Sequence, residues 1–307
     1  MNQRQSISCC FLILHYINTD LTNRTVESVL GLHNFENSQI VIVDNASPNG
    51  SGKVLEEKYK EIKQIHVILS SVNAGFSAGN NLGFRYIKKF FVPEFVIAIN
   101  NDILFPQKEF INRMKELYLE APFWVAGPDI LIPQREYHSS PLSSQILGIQ
   151  ETEAHLKEWE YRKKMFAKKF SFRAYKYYIR DCCPDNVFLK QFFRLKRFFQ
   201  RPLKQYDKRD CQVVLQGSCL IFDRRYCEKN DNLFLPFTFM YAEEDILTWQ
   251  CIRNNWVVRY FPEIQVWHIG EGSSNFFKIS YRQYCNKRII KLGKLQEAYK
   301  IYLKLIR

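Results

Sequence analysis

Hydrophobic and polar positions follow a repeating order over the first hundred residues of the chain. Short apolar runs predict buried strands, and each is followed by a polar loop and a stretch with helical spacing. The predicted strands are Ile7–Leu14, Gln39–Val43, His66–Leu69 and Phe95–Ile99. The predicted helices are about Leu21–Leu30, Lys53–Tyr59 and Asn80–Phe90. This alternation is typical of parallel βαβ units in an α/β fold.

The repeating order continues through a helix at Lys108–Leu119 and a strand at Trp124–Gly127, and then stops. We therefore expect one α/β domain over residues 1–275, interrupted by a basic, aromatic, helical insertion over residues 136–210. Residues 276–307 predict a basic C-terminal helix.

Charge is distributed unevenly along this chain, whose net charge is +13. Residues 151–210 hold 17 Lys and Arg against 8 Asp and Glu, and residues 276–307 hold 9 against 1. Two basic segments on an otherwise near-neutral body predict an anionic surface partner. The apolar runs are shorter than the ~20 residues that span a bilayer, so we expect a cytoplasmic protein. The nine cysteines include no Cys-x-x-Cys, which favours free thiols over zinc sites or disulfides.

Polar side chains follow two of the predicted strands. Asn100-Asn101-Asp102 comes after the strand Phe95–Ile99, and Asp44 ends the second strand. Ligands bind at the carboxyl edge of open α/β sheets, and oxygen ligands there suit Mg²⁺ or Mn²⁺, which in turn suits a diphosphate. The Asp44 carboxylate has two interpretations: it accepts a hydrogen bond from a uracil or thymine N–H, or it caps the next turn.

A glycine-containing segment, Asn73–Gly83, leads from the third strand into a helix. Its glycines allow a nucleotide to approach the backbone, and a helix N-terminus favours anions. The segment is neither a Gly-x-Gly-x-x-Gly fingerprint nor a Walker loop. A dinucleotide-dependent dehydrogenase and a P-loop nucleotidase are therefore excluded.

Two further motifs lie downstream. Glu243-Glu244-Asp245 begins a predicted helix, where the carboxylates cap the helix or supply a base that deprotonates a sugar hydroxyl. His268 follows a predicted strand, where it is structural or completes a metal site begun by an aspartate.

In this order and spacing, these segments resemble the family 2 glycosyltransferases, most closely the rhamnosyltransferase-like branch of bacterial polysaccharide biosynthesis. The resemblance covers roughly residues 6–130 and 211–275. It implies the GT-A fold, a mostly parallel sheet flanked by helices, here with a basic helical excursion and a C-terminal helix. It also implies inverting, metal-dependent transfer of a sugar from dTDP-rhamnose or a UDP-sugar to a saccharide acceptor, with Mn²⁺ or Mg²⁺ as cofactor.

The resemblance assigns roles residue by residue. It implies that the nucleotide-sugar is bound by Tyr16, Asn18, Asp44, Asn45, Asn73, Gly75, Phe76, Asn80, Asn101 and Asp102. It implies that the metal is bound by Asp102 and His268. The catalytic base is expected among Glu243, Glu244 and Asp245, with Glu244 favoured by register and Asp245 by residue type. Three positions depart from the family pattern: Asn100 replaces the first metal-motif Asp, Glu-Glu-Asp replaces Glu-Asp, and the downstream Arg is replaced near Gln250.

The resemblance further implies an acceptor saccharide carried on a lipid diphosphate, and hence a peripheral location at the inner face of the plasma membrane. The basic segments would then face that membrane surface, although they are also compatible with solvated helix faces. We expect no nucleic-acid partner. The alternatives are a basic nucleic-acid-binding protein without enzymatic activity, or a transferase that has lost turnover. A sugar-1-phosphate nucleotidyltransferase needs a glycine-rich loop after the first strand. Residues 15–23 contain no glycine, so this class of enzyme is disfavoured.

Overall fold

The computed structural model describes residues 4–182, 206–270 and 279–307. The chain divides into two compact units. Residues 1–146 and 206–270 form the first, here called the sheet unit, and residues 147–205 and 271–307 form the second, the helical unit. The part of the predicted basic insertion at residues 183–205 lies outside the described residues.

The sheet unit contains the strands of the fold. They are β1 (Gln5–His15), β2 (Gln39–Asp44), β3 (Ile65–Leu69), β4 (Phe91–Asn100), β5 (Ile103–Leu104), β6 (Val125–Ile132), β7 (Tyr137–His138), β8 (Asp210–Cys211), β9 (Cys219–Asp223) and β10 (Val258–His268). The main path of the sheet runs β3-β2-β1-β4-β9-β6-β10-β5. Adjacent pairs within β3-β2-β1-β4 are parallel, as are β6 and β10, whereas β9 is antiparallel to both β4 and β6.

Helices flank this sheet and also form the helical unit. In chain order they are α1 (Thr19–Leu30), α2 (Ser51–Tyr59), α3 (Gly75–Phe90), α4 (Phe110–Glu120), α5 (Ile149–Ala167), α6 (Phe172–Cys182), α7 (Arg224–Lys229), α8 (Glu243–Arg253) and α9 (Tyr281–Ile306). The predicted α/β class, with a mostly parallel sheet flanked by helices, is confirmed.

The central strands are apolar on both faces because helices cover both faces of the sheet. Along β1, Phe11 belongs to the core on one face and Leu12 to the core on the other. The first core packs against α1 and α4, and the second packs against α3 and α8. This double burial explains why the strands read as continuous apolar runs.

The start of α3 differs from the sequence prediction. The helix begins at Gly75 rather than at Asn80, so a segment with two residues of poor helix propensity, Gly75 and Gly79, is helical. Gly75 has φ +86°, and an added Cβ would lie 2.0 Å from the carbonyl oxygen of Phe239. The helix start is therefore determined by a close tertiary contact, which a local pattern does not reveal.

The helical unit has its own small core. Phe166 of α5 packs edge-to-face against Tyr284 of α9, with ring centroids 6.0 Å apart. Among the described residues, no helix is long and apolar enough to cross a membrane. The described cysteines of both units are free thiols.

The chain leaves and re-enters the sheet unit at adjacent positions. The N–H of Leu142 donates to the carbonyl of Val214 at 2.7 Å, and the N–H of Val214 donates to the carbonyl of Ser143 at 3.0 Å. Residues 147–205 are thus attached to the sheet unit through two neighbouring segments.

Candidate active site

Three parallel strands end together at one edge of the sheet. In the β1–β2 ladder His15 lies opposite Asp44, and in the β1–β4 ladder Leu14 lies opposite Asn100. Residues that are far apart in sequence therefore meet where parallel α/β sheets bind ligands. The candidate residues predicted from the sequence lie at or next to this edge.

Asp102 and His268 form a close pair at this edge. Asp102 follows β4 and His268 ends β10, and the Nε2 of His268 lies 3.2 Å from the Oδ2 of Asp102. The N–H of Ile269 also donates to the carbonyl of Asp102 at 3.0 Å, which holds the two segments in register. These contacts bring together residues that are 166 positions apart.

The other polar atoms of this pair are buried with no recorded partner. The Oδ1 of Asp102 and the Nδ1 of His268 have no hydrogen bond among the described residues. A buried polar atom without a partner costs about 1–3 kcal/mol, so such atoms point to a missing ligand. A carboxylate and an imidazole are suitable donors for Mn²⁺. The described residues contain no group of three or more His, Cys, Asp or Glu placed to hold a metal, so among them this pair would supply part of a coordination shell.

The acidic segment Glu243–Asp245 lies at the start of α8. The two residues before it, Tyr241 and Ala242, have φ values of 75° and 62°. Residues with side chains rarely adopt this left-handed conformation, which costs on the order of 1–3 kcal/mol each and is concentrated at functional sites. The turn directs the first residues of α8 into a half-buried position.

Burial changes the acidity of these carboxyl groups. It raises the pKa of Glu243 well above its ordinary value, and the neighbouring Glu244 raises that pKa further. The pKa of Glu244 is also raised, mainly by burial. A raised pKa brings a carboxylate closer to the range in which it accepts a proton effectively near neutral pH. The segment is therefore better suited to proton transfer than a solvated helix cap would be.

A short segment before β9 connects α8, here called the acidic helix, to the end of β4. The N–H of Gly217 donates to the Oε1 of Glu244 at 3.3 Å. The N–H of Asn100 donates to the carbonyl of Ser218 at 3.0 Å. Gly217 and Ser218 were not among the residues singled out from the sequence, although a glycine directly before a buried strand was a detectable signal. They place Glu244 next to the segment that carries Asp102.

Asp44 caps the turn that follows its strand. Its carboxylate accepts hydrogen bonds from the N–H of Ser47 at 3.2 Å and from the Oγ of Ser47 at 2.5 Å. Gly52 allows α2 to approach it, because a Cβ at that position would lie 2.2 Å from the Oδ2 of Asp44. The capping interpretation is therefore present in the structure, and the contact with a nucleobase stays a prediction.

Two asparagines that were expected to bind the nucleotide-sugar form hydrogen bonds to nearby backbone atoms. The side chain of Asn45 donates to the carbonyl of Gly75 at 3.1 Å and accepts from the N–H of Ala74 at 3.2 Å. The side chain of Asn80 donates to the carbonyl of Phe76 at 3.0 Å within its own helix. Both side chains are buried, and their described contacts shape the protein rather than present an open amide.

The start of α3 is closed by another part of the chain. The N–H of Phe76 donates to the carbonyl of Phe239 at 2.8 Å. The ring of Phe76 packs edge-to-face against Phe234, with centroids 5.1 Å apart, and Asn73 accepts from the N–H of Gly75 at 3.1 Å. The expected role of this helix start in binding a phosphate therefore stays a prediction, with one of its N–H groups already bonded to protein.

The loop after β1 lies beside the end of β4. Tyr16 is 40% exposed, whereas Asn18 caps α1 by accepting from the N–H of Leu21 at 3.1 Å. The side chain of Asn101 donates to the Oγ1 of Thr22 at 3.0 Å. The loop leaves an aromatic ring at the surface near the strand ends.

A buried histidine connects three elements beneath these residues. The Nδ1 of His15 lies 2.6 Å from the Oγ1 of Thr22, and its Nε2 lies 2.9 Å from the Oγ of Ser51. Burial lowers the pKa of His15, which favours the neutral imidazole. No sequence pattern indicated this role, since the hydroxyl partners lie on two separate helices.

The family comparison covers more than half of the chain. The family model described as "Glycosyl transferase family 2" matches residues 10–195. A search of curated proteins found no match.

Several solved structures have a similar fold. They include S. aureus TarS residues 1–349, at 12% identity and TM-score 0.52, covering 85% of this chain and 60% of that one. A mannosyltransferase from Pyrobaculum calidifontis, in complex with GDP-Man and Mn²⁺, has 10% identity and TM-score 0.53, covering 99% and 71%. GalNAc-T7 with UDP, GalNAc and Mn²⁺ has 12% identity and TM-score 0.54, covering 93% and 48%. These similarities confirm the predicted GT-A fold.

Proposed function

This chain belongs to glycosyl transferase family 2, and we propose that it transfers a sugar from a nucleoside-diphosphate donor to a saccharide acceptor with inversion at the anomeric carbon. The observation that carries this proposal is the pair Asp102 and His268, whose remaining polar atoms are buried without described partners. The pair lies one short segment away from a carboxylate with a raised pKa.

The donor would be a UDP-sugar or dTDP-rhamnose, as in the rhamnosyltransferase-like branch. Asp44 would accept the N–H of the uracil or thymine, since it lies at the carboxyl end of β2. A divalent cation, Mn²⁺ or Mg²⁺, held by Asp102 and His268 would neutralise the negative charge of the leaving diphosphate. Two of the similar structures are complexes with Mn²⁺, which supports this choice of cofactor.

We assign the catalytic base to Glu244. Its carboxylate is oriented by the N–H of Gly217 at 3.3 Å, so its position relative to the end of β4 is defined. It would accept the proton of the acceptor hydroxyl as that oxygen bonds to the anomeric carbon and the bond to the diphosphate breaks. Asp245, the next residue in the same helical turn and more deeply buried, remains the alternative base. Glu243 would contribute a further carboxyl group to the site, and its own pKa is raised as well.

The acceptor would be a lipid-linked saccharide of cell-surface polysaccharide biosynthesis. The helical unit supports this proposal, because α5, α6 and α9 carry Lys and Arg together with exposed aromatic rings such as Tyr161 of α5 and Phe172 of α6. Basic residues near anionic lipid contribute about 1 kcal/mol each, and aromatic rings favour the membrane interface. The protein would then act at the inner face of the plasma membrane.

Nucleotide binding tests this function directly. We would titrate UDP and dTDP into the protein with and without Mn²⁺, comparing wild type with Asp102→Ala and His268→Ala. We expect Mn²⁺-dependent binding of one nucleotide, lost in both variants. Asp231→Ala is the matched control, because the Asp231 side chain is fully exposed and pairs only with Lys88 in the described contacts. If neither nucleotide binds in the presence of Mn²⁺, the proposal is wrong, and the basic segments become the place to look for a nucleic-acid partner.

Turnover tests the base. Glu244→Gln should abolish transfer while nucleotide binding persists, and Asp245→Asn should have a much smaller effect. Equal and mild losses in both variants would contradict the assignment. Retained nucleotide binding without donor hydrolysis in the wild type would identify a transferase that has lost turnover.

A further inference from the structure

A second pocket lies in the sheet unit, separate from the Asp102–His268 pair. Its volume is about 370 Å³, within the range of about 300–1,000 Å³ that is typical of small-molecule sites. Its polar and aromatic lining comprises Asp129, His138, Tyr206, Asp207, Arg209 and Glu263. None of these residues has a role in the transfer step described above.

An irregularity in β10 contributes to this pocket. Phe261 lies opposite Pro128 in the β6–β10 ladder, and the next pair is Gln265 opposite Asp129. Residues 262–264 thus leave the ladder beside Asp129. Bulges of this kind are concentrated next to functional sites, where they redirect side chains.

Asp129 and His138 form a hydrogen-bonded pair in the pocket. Asp129 is buried and accepts from the Nδ1 of His138 at 2.8 and 2.9 Å. It also accepts from the Nε2 of Gln265 at 2.8 Å. The contacts with Asp129 fix the orientation of the His138 imidazole.

An aromatic ring forms one wall. The ring of Tyr206 stacks on His138 with centroids 3.8 Å apart and an interplanar angle of 5°. The hydroxyl of Tyr260 donates to the carbonyl of Tyr206 at 2.7 Å, and this hydrogen bond anchors the backbone of Tyr206. Tyr206 nevertheless remains 41% exposed, so the face away from His138 is open to a ligand.

The composition of the lining selects the class of ligand. Three carboxylates outnumber the single Arg209, whose guanidinium already pairs with Glu263 and Glu120, so an anion is disfavoured. The described residues contain no cluster suited to a metal. A polar pocket with carboxylates, a guanidinium and an aromatic face suits a polyol: hydroxyl groups bond to the charged groups, and polarised C–H groups pack on the electron-rich ring face.

One lining residue of the pocket, Asp129, lies on the face of the sheet that carries α8. In β6 the side chains of Ala126 and Ile130 belong to the core on one face, while a Cβ at Gly127 would contact Leu215 on the other. Asp129, two residues after Gly127, therefore points to the face where Leu247 of α8 packs. Gln265 precedes His268 by three residues, or about 10 Å along the strand.

We propose that this pocket binds one pyranose residue of the acceptor saccharide, beyond the residue that receives the transferred sugar. In this assignment the open face of Tyr206 stacks on the sugar ring, Asp207 and Arg209 bond to its hydroxyls, and His138 supports the Tyr206 ring from behind. The assignment to the acceptor rests on the proposed transferase function, whereas the binding of a pyranose by these residues does not.

Ligand-observed saturation-transfer NMR with methyl α- and β-pyranosides of glucose, galactose, mannose, rhamnose and N-acetylglucosamine, at tens of millimolar, tests the proposal. We expect saturation transfer to at least one pyranoside. Tyr206→Ala should weaken its binding about fivefold or more, equivalent to about 1 kcal/mol, the scale of an aromatic contact. Tyr206→Phe should keep most of the binding, since it preserves the ring. Phe90→Ala is the matched control, because Phe90 is an aromatic residue of the same unit with the same 41% exposure.

The outcomes separate this proposal from the transferase function when UDP and dTDP binding with Mn²⁺ is measured on the same samples. Nucleotide binding without saturation transfer to any pyranoside, or with an unchanged signal in Tyr206→Ala, overturns the pyranose site and leaves the transferase function standing. A Tyr206-dependent pyranoside signal without nucleotide binding supports the sugar site but overturns its assignment to an acceptor. Both signals together, with only the pyranoside signal lost in Tyr206→Ala, support the full proposal.

Discussion

Asn81 connects α3 to the segment that leads into the acidic helix, and its removal should be unusually costly. Its side chain donates to the carbonyl of Phe234 at 2.7 Å and accepts from the N–H of the same residue at 3.1 Å. Asn81 and Phe234 are 1% and 2% exposed. In Asn81→Ala, both backbone groups of Phe234 lose these partners in a buried environment.

The magnitude follows from the number of polar groups left unsatisfied. Each buried backbone group without a partner costs about 1–3 kcal/mol, so Asn81→Ala should lower the free energy of unfolding by about 2–6 kcal/mol. The neighbouring Asn80 is also 1% exposed but makes one side-chain hydrogen bond, to the carbonyl of Phe76 within its own helix. Asn80→Ala should therefore cost about 0.5–1.5 kcal/mol, the net value of a single hydrogen bond.

Urea denaturation of both variants at neutral pH, followed by circular dichroism, measures the difference. Native-state hydrogen exchange adds a local readout: peptides covering residues 230–242 should lose protection in Asn81→Ala and keep it in Asn80→Ala. Equal destabilisation by the two substitutions, or unchanged protection of residues 230–242 in Asn81→Ala, would refute the argument.

Three further predictions concern the backbone and the acidic segment. Gly75→Ala should destabilise the protein by more than Gly50→Ala in thermal denaturation, because both residues have positive φ but only at Gly75 does a Cβ meet a backbone carbonyl, at 2.0 Å; equal shifts would contradict this. Gly217→Ala places a Cβ 2.9 Å from the Oε1 of Glu244 and should displace that carboxylate. Steady-state kinetics should then show a kcat for transfer that is about tenfold lower, with little change in nucleotide affinity. An unchanged kcat would count against Glu244 as the base. The raised pKa of Glu243 means that the native state binds the proton more tightly than the unfolded chain does. The contribution of this group to the free energy of unfolding is therefore fully present below its ordinary pKa of 4.5 and is lost as the pH rises through the raised pKa. Glu243→Gln should raise the melting temperature at pH 9 and leave it nearly unchanged at pH 4.

The sheet and its ligand-binding edge could be predicted from the sequence because they depend on local patterns. Strands buried on both faces read as apolar runs, and polar residues directly after such runs must lie at the carboxyl edge when the strands are parallel. This reasoning anticipated the proximity of Asp102 and His268. Their separation in sequence was no obstacle, because each residue is placed by its own strand.

The uses of individual amide groups could not be predicted in this way. Asn45 and Asn80 were both expected to bind the nucleotide-sugar, yet their described hydrogen bonds go to backbone atoms. The contact of Gly75 with Phe239 joins positions that are far apart in sequence. The pocket beside Asp129 depends on a register shift in β10, which leaves the apolar pattern of that strand unchanged. Each of these features results from three-dimensional packing rather than from a periodic signal.

The adjacent exit and return of the chain at Ser143 and Val214 has a consequence for the evolution of this protein. A segment whose two ends are held side by side can change in length or sequence at a low entropic cost to its host, since the ends are already closed by the host's own hydrogen bonds. Residues 147–205 are attached in this manner, and the strands that end at Asp44 and Asn100 precede them in the chain. Changes within residues 147–205 can therefore accumulate without disturbing the strand ends at Asp44 and Asn100, provided that α5 keeps its packing against Tyr284 of α9.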